Sequence, residues 1–284
     1  MTATGVRPPR LSGGTRRRLV HGGLIGVTVL YIGILVVAPL IGIAVAALKP
    51  GLSAWRAVFA DPYARHAYVL TGAITAETLL VTTVLGVVVA LVLARDRFGG
   101  KALMSALVDL PLAVSPVVVG LAAVLLFGLG GWFQPWFAAR GIQILFAVPS
   151  MVLVTIFISI PFVIREVAPL LQELGTEEEE AARTLGASHL QTFFRVTLPN
   201  IRWGLLYGIA LTTARALGEV GAVLIVSGTI AGQTETSTLY ILRMFDEGRD
   251  KAGYVVALTL ALVSIVMLSG IEIFKRKQEK GRGA

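Results

Sequence analysis

Residues 22–48 read GGLIGVTVLYIGILVVAPLIGIAVAAL, a run of 27 residues that contains no charged side chain. An α-helix needs about 20 mostly apolar residues to cross the hydrocarbon core of a bilayer. The run is also longer than the apolar segment of a cleavable export signal, which has about 7 to 15 residues. We therefore expect residues 22–48 to form a membrane-spanning helix that the mature protein keeps.

Five further apolar stretches follow along the chain. The sequence has 284 residues, of which 55% are hydrophobic and only 15% charged, a composition that is atypical of a soluble domain. It predicts an all-α polytopic membrane protein with six transmembrane helices, in which one membrane domain over residues 22–275 lies between tails at 1–21 and 276–284. The predicted spans are residues 22–48, 67–94, 102–128, 142–164, 203–227 and 254–274.

The basic residues predict how the chain is oriented. Seventeen of the 25 Lys and Arg lie in the two tails or in the loops after the second and fourth spans, and seven lie on the opposite side. Because basic residues concentrate on the cytoplasmic side of membrane proteins, we expect both termini to be cytoplasmic and the protein to cross a bacterial inner membrane several times. The same distribution explains the net charge of +8 without a nucleic-acid partner, which would require a clustered basic face.

Residue types that carry covalent or metal chemistry are scarce in this sequence. The chain has no cysteine, and its three histidines, His21, His66 and His189, are far apart. The phosphate-binding pattern G-x-x-x-x-G-K-[ST] is absent as well. We therefore expect no catalytic residue, no metal site and no cofactor bound by this chain.

The longest predicted loop, residues 165–202, contains from Thr176 to Pro199 the sequence TEEEEAARTLGASHLQTFFRVTLP. Thr176 is a suitable N-cap and Glu179 has the spacing of a capping box, so we expect a helix to begin there. Gly186 allows a bend, and Pro199 is expected to end the segment before the fifth span. A helix lying on lipid would carry Lys and Arg on its polar face, whereas four consecutive glutamates favour docking to a protein.

The spacing within this loop is specific. It consists of Glu-Ala-Ala, three residues, Gly, nine residues, an aliphatic residue, one residue and Leu-Pro, and it resembles the EAA loop of type I ABC importer permeases. The resemblance implies that the loop is a coupling helix, which fits a cleft on a separate ATPase subunit. The residues that fill the pattern are Glu180, Ala181, Ala182, Gly186, Val196, Leu198 and Pro199.

Further stretches resemble the W-type membrane subunits of sulfate and thiosulfate ABC importers. That resemblance implies a permease subunit that forms half of a translocation pathway together with a paralogous T-type subunit. It also implies two ATPase subunits, which use ATP and Mg²⁺, and an extracytoplasmic binding protein. Val220 stands where such subunits usually have Phe. The matching stretches include Asp109 to Pro111, Ser115 to Gly120, Gly141 to Gln143, Glu177 to Arg183, Thr197 to Trp203, Ala214 to Glu219 and Ser227-Gly228.

Two other functions remain open at this point. A molybdate or tungstate permease of the same class would share the loop, since those oxyanions are also tetrahedral dianions. A secondary anion transporter that needs no ATPase would belong to a different class, and it would leave residues 180–199 without a purpose.

Charged and helix-breaking residues inside the predicted spans are candidates for the translocation path. Arg215 and Glu219 share a helix face, and an Arg at mid-bilayer costs about 2.5–3.5 kcal/mol to insert, so we expect an ion pair that is either structural or faces the path. Ser115 lies between Pro111 and Pro116, which interrupt helical hydrogen bonding and can expose N–H groups to an anion. Arg215, Glu219 and Ser115 are therefore the candidate path residues.

Two carboxylates inside the spans and one outer loop lead to further expectations. Glu77 in the second span and Asp109 in the third are expected to be satisfied structural carboxylates rather than ligands of an anion. The outer loop over residues 228–253 is a candidate surface for the binding protein.

Overall fold

The structure of the protein is a computed structural model that describes the backbone of residues 13–282 and the side chains of residues 21–273. In this part of the chain every regular element is helical, which confirms the predicted fold class. Two π-helical turns, Gly33–Val37 and Phe193–Thr197, join α1 to α2 and α10 to α11. The helices are α1 (Gly13–Ile32), α2 (Ala38–Leu48), α3 (Leu52–Ala60), α4 (Pro62–Arg95), α5 (Lys101–Ala113), α6 (Pro116–Phe127), α7 (Gln134–Ala138), α8 (Val148–Leu174), α9 (Glu177–Thr184), α10 (His189–Thr192), α11 (Leu198–Leu217), α12 (Gly221–Ser227), α13 (Ser237–Asp246) and α14 (Asp250–Arg282).

Four helical segments of the described chain are long and apolar enough to cross a bilayer: His21–Leu48, Pro62–Arg95, Val148–Leu174 and Asp250–Ile273. Two more segments reach that length only as bent pairs. Helix α6 is turned by 109° relative to α5, and α12 is turned by 55° relative to the helical segment His189–Leu217. The six expected spans are present when each bent pair is taken as one span.

Helix α8 is the centre of the bundle, because α4, α5, α6, α11 and α12 all pack against it. Its closest contacts are made with glycines. A Cβ atom on Gly86 of α4 would lie 2.8 Å from Val163 Cβ, and a Cβ atom on Gly208 of α11 would lie 3.0 Å from Val163 Cα. Small residues let helix backbones approach closely in a membrane, where packing holds helices together. Helices α4 and α11 are thereby fixed against α8 at the level of Val163.

The third predicted span, residues 102–128, is not one continuous helix. Val114 and Ser115 have extended backbone and separate α5 from α6. Pro116 has no N–H with which to continue a helix, and it disfavours helical backbone at the residue before it. Together with Pro111 it produces a sharp turn, and the N-terminus of α6 therefore lies inside the membrane domain.

The fifth predicted span, residues 203–227, is also broken. Helix α11 ends at Leu217, and α12 begins at Gly221 with a new first turn. A residue of α13 fixes the connection between them, because Thr238 Oγ1 donates a hydrogen bond to Glu219 O at 2.9 Å. An apolar run identifies a membrane segment by composition, and it does not reveal a short break of this kind.

The expectation that Pro199 ends the preceding segment is wrong, because the helix continues without a break from His189 to Leu217. The turn just before the proline is π-helical, and there Leu198 N donates to Phe193 O rather than to the residue four positions back. The regular hydrogen-bond ladder is thus already interrupted where Pro199, which lacks an N–H, enters the helix.

Helix α8 is shifted along the chain relative to the predicted span at residues 142–164. It begins only at Val148, because Phe146 adopts a φ of 57° and its N–H donates to Val226 O at 2.8 Å, which holds the preceding segment in irregular structure against α12. At its other end α8 continues to Leu174 and stops before Gly175, which has a φ of 65°. The loop that follows is therefore shorter than the predicted range of 165–202.

The packing of α6 against α12 gives a first testable prediction. We expect Gly120→Ala to destabilise the isolated subunit by about 1–3 kcal/mol, the usual cost of overpacking. The new Cβ atom would lie 2.8 Å from Ile225 Cβ and 3.0 Å from Ala222 O. Gly72→Ala is the matched control, because a Cβ atom there meets nothing within 4 Å and both changes gain the same helix propensity. Thermal unfolding in detergent measures the difference, and equal melting temperatures would contradict the prediction.

Candidate functional site

The segment between α8 and α11 begins and ends its first helix at glycines. Gly175 has a φ of 65° and precedes α9, and Gly186 has a φ of 89° and follows it. Both values lie in the left-handed region, which glycine adopts without steric cost. The bend that the sequence predicts at Gly186 is present, and a second bend lies at Gly175. Helix α9 is therefore a short helix with a bend at a glycine on either side.

A buried carboxylate connects α9 to the spanning helices. Glu179 is only 8% exposed, and its Oε1 atom accepts hydrogen bonds from Arg95 Nη2 at 3.0 Å and from Thr197 Oγ1 at 2.9 Å. The same Arg95 donates from Nη1 to Leu171 O at 2.9 Å. Arg95 ends α4, Leu171 lies in the last turn of α8 and Thr197 lies in the π-helical turn before α11. One oxygen atom therefore connects α9 with the ends of three packed helices.

The predicted capping box at Thr176 and Glu179 is wrong. Thr176 Oγ1 donates instead to Glu180 Oε1 at 2.7 Å, and Glu179 turns inward, where its carboxylate gains an ion pair with Arg95 and a hydrogen bond from Thr197. The capping box of this region lies at Ser188, whose Oγ accepts from Gln191 N while Gln191 Oε1 accepts from Ser188 N.

The seven motif residues do not form one cluster. Ala182, Gly186 and Val196 line a recess of about 320 Å³ in the elbow between α9 and the helix that follows. Glu180 and Ala181 are exposed on α9, whereas Leu198 packs against the apolar cluster formed with α4 and α8, and Pro199 is exposed.

Three large apolar side chains project from the same end of the bundle. Leu185, Leu190 and Phe194 are 89%, 71% and 61% exposed; Leu185 lines the recess, and Leu190 and Phe194 precede Gln191 and Arg195, which also line it. Exposed apolar side chains grouped beside a recess are typical of a surface that binds another protein. The loop thus combines a shape and a composition that suit a partner.

Arg215 and Glu219 form the expected ion pair, with Arg215 Nη1 lying 2.7 Å from Glu219 Oε2. The side chain of Glu219 is 2% exposed and that of Arg215 is 30% exposed. Glu219 Oε1 also accepts from Ala222 N at 2.9 Å, so this carboxylate satisfies an N–H in the first turn of α12. The pair is fixed at the break of the fifth span, and part of the guanidinium remains accessible.

Ser115 is the N-cap residue of α6, and its side chain is exposed. Helix α12 begins beside it, because a Cβ atom on Gly221 would lie 3.1 Å from Pro116 Cβ. The structure therefore brings the N-terminal ends of both broken half-helices together. Val220, in the position where Phe is usual, packs against the apolar cluster formed by α4, α6, α8 and α12.

Two carboxylates inside the spans behave differently from each other. Asp109 has the expected partner, since Asp109 Oδ1 accepts from Arg165 Nε at 2.8 Å, although Arg165 lies in α8 and not in the predicted loop. Glu77 lies on an exposed face in the middle of α4 and has no hydrogen-bond or ion-pair partner in the part of the chain that the structure describes. The expectation that Glu77 is satisfied within this chain is therefore wrong.

The segment between α12 and α14 is held by polar contacts, several of which involve buried side chains. Arg243 binds Glu235 through two hydrogen bonds, Nε to Oε1 at 2.6 Å and Nη2 to Oε2 at 2.9 Å, and this contact raises the pKa of Arg243. Tyr240 donates from its hydroxyl to Asp61 Oδ2 at 2.8 Å. Burial and this acceptor raise the pKa of Tyr240. A cavity of about 520 Å³ beside this pair is also lined by Arg249 and other charged residues.

Arg95 and Glu179 are the site residues that sequence reasoning missed. Their positions are separated by 84 residues, so no local pattern connects them. The available signals were a single Arg at the end of an apolar run and four equivalent glutamates. Only the packing of α4 against α8 brings the two side chains together.

Comparison with known proteins places the chain among transport proteins. Residues 82–280 match the family described as "Binding-protein-dependent transport system inner membrane component". The chain is 46% identical over 252 residues to the sulfate transport system permease protein CysW of Synechococcus elongatus, covering 89% of this chain and 88% of that protein. It is 43% identical over 245 residues to CysW of Escherichia coli, covering 86% and 84%. It is 33% identical over 263 residues to the sulfate transport system permease protein CysT of the same organism, covering 92% and 95%.

A solved structure has the same fold. A chain in the crystal structure of a bacterial alginate ABC transporter, in complex with a periplasmic protein that holds an alginate pentasaccharide, superposes with a TM-score of 0.76. It is 19% identical, and the match covers 95% of this chain and 98% of that chain. At this level of identity the likeness concerns the fold.

The position of the capping box gives a second prediction. We expect Ser188→Ala to cost about 1 kcal/mol of local stability, as the loss of an N-cap usually does, and to speed hydrogen exchange at the amides of Leu190 to Thr192. Thr176→Ala is the control, because the Thr176 side chain donates to Glu180 Oε1 but accepts no hydrogen bond from a backbone amide of α9. Exchange measured by mass spectrometry distinguishes the two, and faster exchange at α9 in Thr176→Ala would contradict the assignment.

Proposed function

Since the chain belongs to the family of inner-membrane components of binding-protein-dependent transport systems, we propose that it is a permease subunit of an ATP-driven importer of sulfate and thiosulfate. The observation that carries the substrate is its 43–46% identity to CysW sulfate permeases over most of both chains. This chain is 43% identical to the CysW protein of Escherichia coli and 33% identical to the CysT protein of the same organism. The difference supports a W-type rather than a T-type role.

In this proposal the chain supplies no ATPase site, and a pair of separate ATPase subunits hydrolyses ATP with Mg²⁺. The exposed Leu185, Leu190 and Phe194 and the recess at Gly186 support the loop as the surface that docks on one of those subunits. An apolar helix face that fits into a groove is a common mode of recognition. The conformational change of the ATPase is then transmitted to the membrane domain through α9 and α10.

A second membrane subunit completes the pathway, and a T-type paralogue is the proposed partner. Two features of the chain support an additional subunit. The most apolar window of His21–Leu48 buries none of its residues within the described chain. Glu77 is exposed at the middle of a spanning helix, where contact with lipid would be costly for a carboxylate. A partner helix or a water-filled path must cover that face.

We assign the translocation path to Arg215, Glu219 and Ser115. The accessible part of the Arg215 guanidinium attracts a dianion, and the buried Glu219 reduces that attraction so that the anion can leave. The N-terminus of α6 at Ser115 adds N–H groups that have no partner within the helix, and such groups favour anions. None of these three residues forms a covalent bond with the substrate.

The orientation that the basic residues predict is part of the same proposal, with both termini and the loop of α9 in the cytoplasm. The opposite face then includes the surface of Asp61, Arg243 and Arg249, beneath which Tyr240 is fully buried, and that surface meets the extracytoplasmic binding protein. Its ion pairs keep that surface rigid, so the binding protein can dock without first ordering a loop.

Labelled sulfate uptake tests the substrate. Cells that lack this chain should regain uptake when the wild-type chain is restored together with its ATPase and binding protein. An excess of unlabelled thiosulfate should compete, because thiosulfate has the same charge and a similar tetrahedral shape. Competition by molybdate in place of thiosulfate would assign the chain to the other oxyanion class, and uptake without the ATPase would contradict the proposal as a whole.

Substitutions at Gly186 test the role of the loop. We expect Gly186→Val to lose most uptake, because a β-branched residue is strained at a φ of 89° by roughly 1–3 kcal/mol. Gly186→Asn should retain more, since Asn tolerates left-handed backbone. Both variants should still insert in the membrane at wild-type abundance. Equal uptake by the wild type and Gly186→Val would exclude a need for this bend.

Substitutions at Arg215 test the path. Arg215→Gln leaves Glu219 buried without its cation, so it is compared with the double variant Arg215→Gln/Glu219→Gln, in which the side-chain oxygen that accepts from Ala222 N is kept. We expect the double variant to assemble normally and to lose sulfate uptake by about tenfold or more, the loss of roughly one favourable charge contact. Wild-type uptake by this double variant would remove Arg215 from the path.

A further inference from the structure

Helix α9, in the loop that is proposed to dock on the ATPase, is linked to the membrane domain by side-chain hydrogen bonds from only two of its residues in the described structure. Helix α9 has eight residues, and a helix of that length is not stable alone in water. It is bounded by Gly175 and Gly186, both with left-handed backbone. A short helix between two such joints would swivel if nothing else fixed its direction.

The contacts that fix α9 converge on Glu179 and its neighbour. Glu179 Oε1 accepts from Arg95 and from Thr197, as described above. Glu178 Oε2 accepts in addition from Asn200 Nδ2 in the first turn of α11. The two contacts of Glu179 are buried or partly buried, whereas the Glu178 contact is exposed to solvent, and only the contact with Arg95 reaches α4.

Arg95 is itself placed by two helix ends. It is in the last turn of α4, and its Nη1 donates to Leu171 O, one of the last four carbonyls of α8, which have no N–H partner within the helix. A cation at this position also complements the negative end of the helix dipole. Arg95 therefore cannot follow Glu179 without disturbing both α4 and α8.

We propose that Glu179 and Arg95 act together as positioning residues. They make α9 move as one body with the C-terminal ends of α4 and α8 and the N-terminal end of α11. When the ATPase displaces α9, the spanning helices then move with it, and the displacement is not lost through rotation of α9 about Gly175 and Gly186. This role rests on the proposed coupling function. It assigns to Glu179 a task different from that of the exposed motif residue Glu180, which faces away from the bundle.

The test uses the complete transporter, with both membrane subunits and the ATPase, reconstituted in liposomes with the binding protein. Three quantities are measured for each variant: the amount of ATPase that copurifies, the rate of ATP hydrolysis and the sulfate transported per ATP. We expect Glu179→Ala to retain the ATPase and to hydrolyse ATP, while sulfate transported per ATP falls about tenfold, within the range of typical coupling between two sites.

Glu177→Ala is the matched control. Glu177 lies in the same first turn of α9, is exposed, and makes no side-chain hydrogen bond or ion pair within the described residues, so its variant should keep the wild-type ratio of sulfate to ATP even if the amount of bound ATPase changes. Glu179→Asp keeps the charge and should recover part of the transport per ATP. If Glu179→Ala is too unstable to purify, Glu179→Gln takes its place, with a smaller expected fall in sulfate transported per ATP, because the amide oxygen can still accept from Arg95 and Thr197 but carries no charge.

Hydrogen exchange provides a readout that uptake alone does not. The amides of α9 should exchange faster in Glu179→Ala than in Glu177→Ala, while those of α8 should be unchanged. A normal ratio of sulfate to ATP in Glu179→Ala would overturn the proposal, and so would the loss of the ATPase during purification, which would make Glu179 a docking residue. If the wild-type complex itself moves no sulfate, it is the proposed function that fails.

Discussion

The close approach of two glycines to Val163 of α8 is the constraint on which the rest of the structure depends. Gly86 and Gly208 allow no side chain between α4, α11 and α8 at this level. In a membrane there is no exclusion of water to drive helices together, so such packing determines which helices are neighbours. Because the three helices are fixed at one point, their ends also come together at one end of the bundle. That is where Arg95, Leu171 and Thr197 meet Glu179.

The two broken spans follow a different logic. Their breaks lie inside the membrane domain, where backbone groups without partners are costly unless they are buried against protein or face water. Helix α6 packs on α12 through Gly120, and Glu219 satisfies an N–H of α12. The breaks are therefore compensated within the protein. They also place the start of α12 beside Glu219, the ion-pair partner of Arg215.

Sequence reasoning succeeded where the signal was local. The uncharged run at residues 22–48 predicted a spanning helix, Gly186 predicted a bend, and the four-residue spacing of Arg215 and Glu219 predicted an ion pair. It failed where a tertiary contact decided between local options. Pro199 did not end a helix, because a π-helical turn had already relaxed the hydrogen-bond ladder. Glu179 did not cap α9, because Arg95 from a distant helix offered a stronger partner.

The four consecutive glutamates show why composition alone could not assign their roles. Each residue of a helix is rotated by about 100° from the one before, at 3.6 residues per turn, so four neighbours point in four directions. Glu178 meets Asn200, Glu179 is buried against Arg95, and Glu180 is exposed beside the alanines of the motif. The phase of α9 thus separates two tasks that the sequence places side by side. One glutamate faces the membrane domain, where Arg95 and Thr197 donate hydrogen bonds to it, and the next is exposed to solvent.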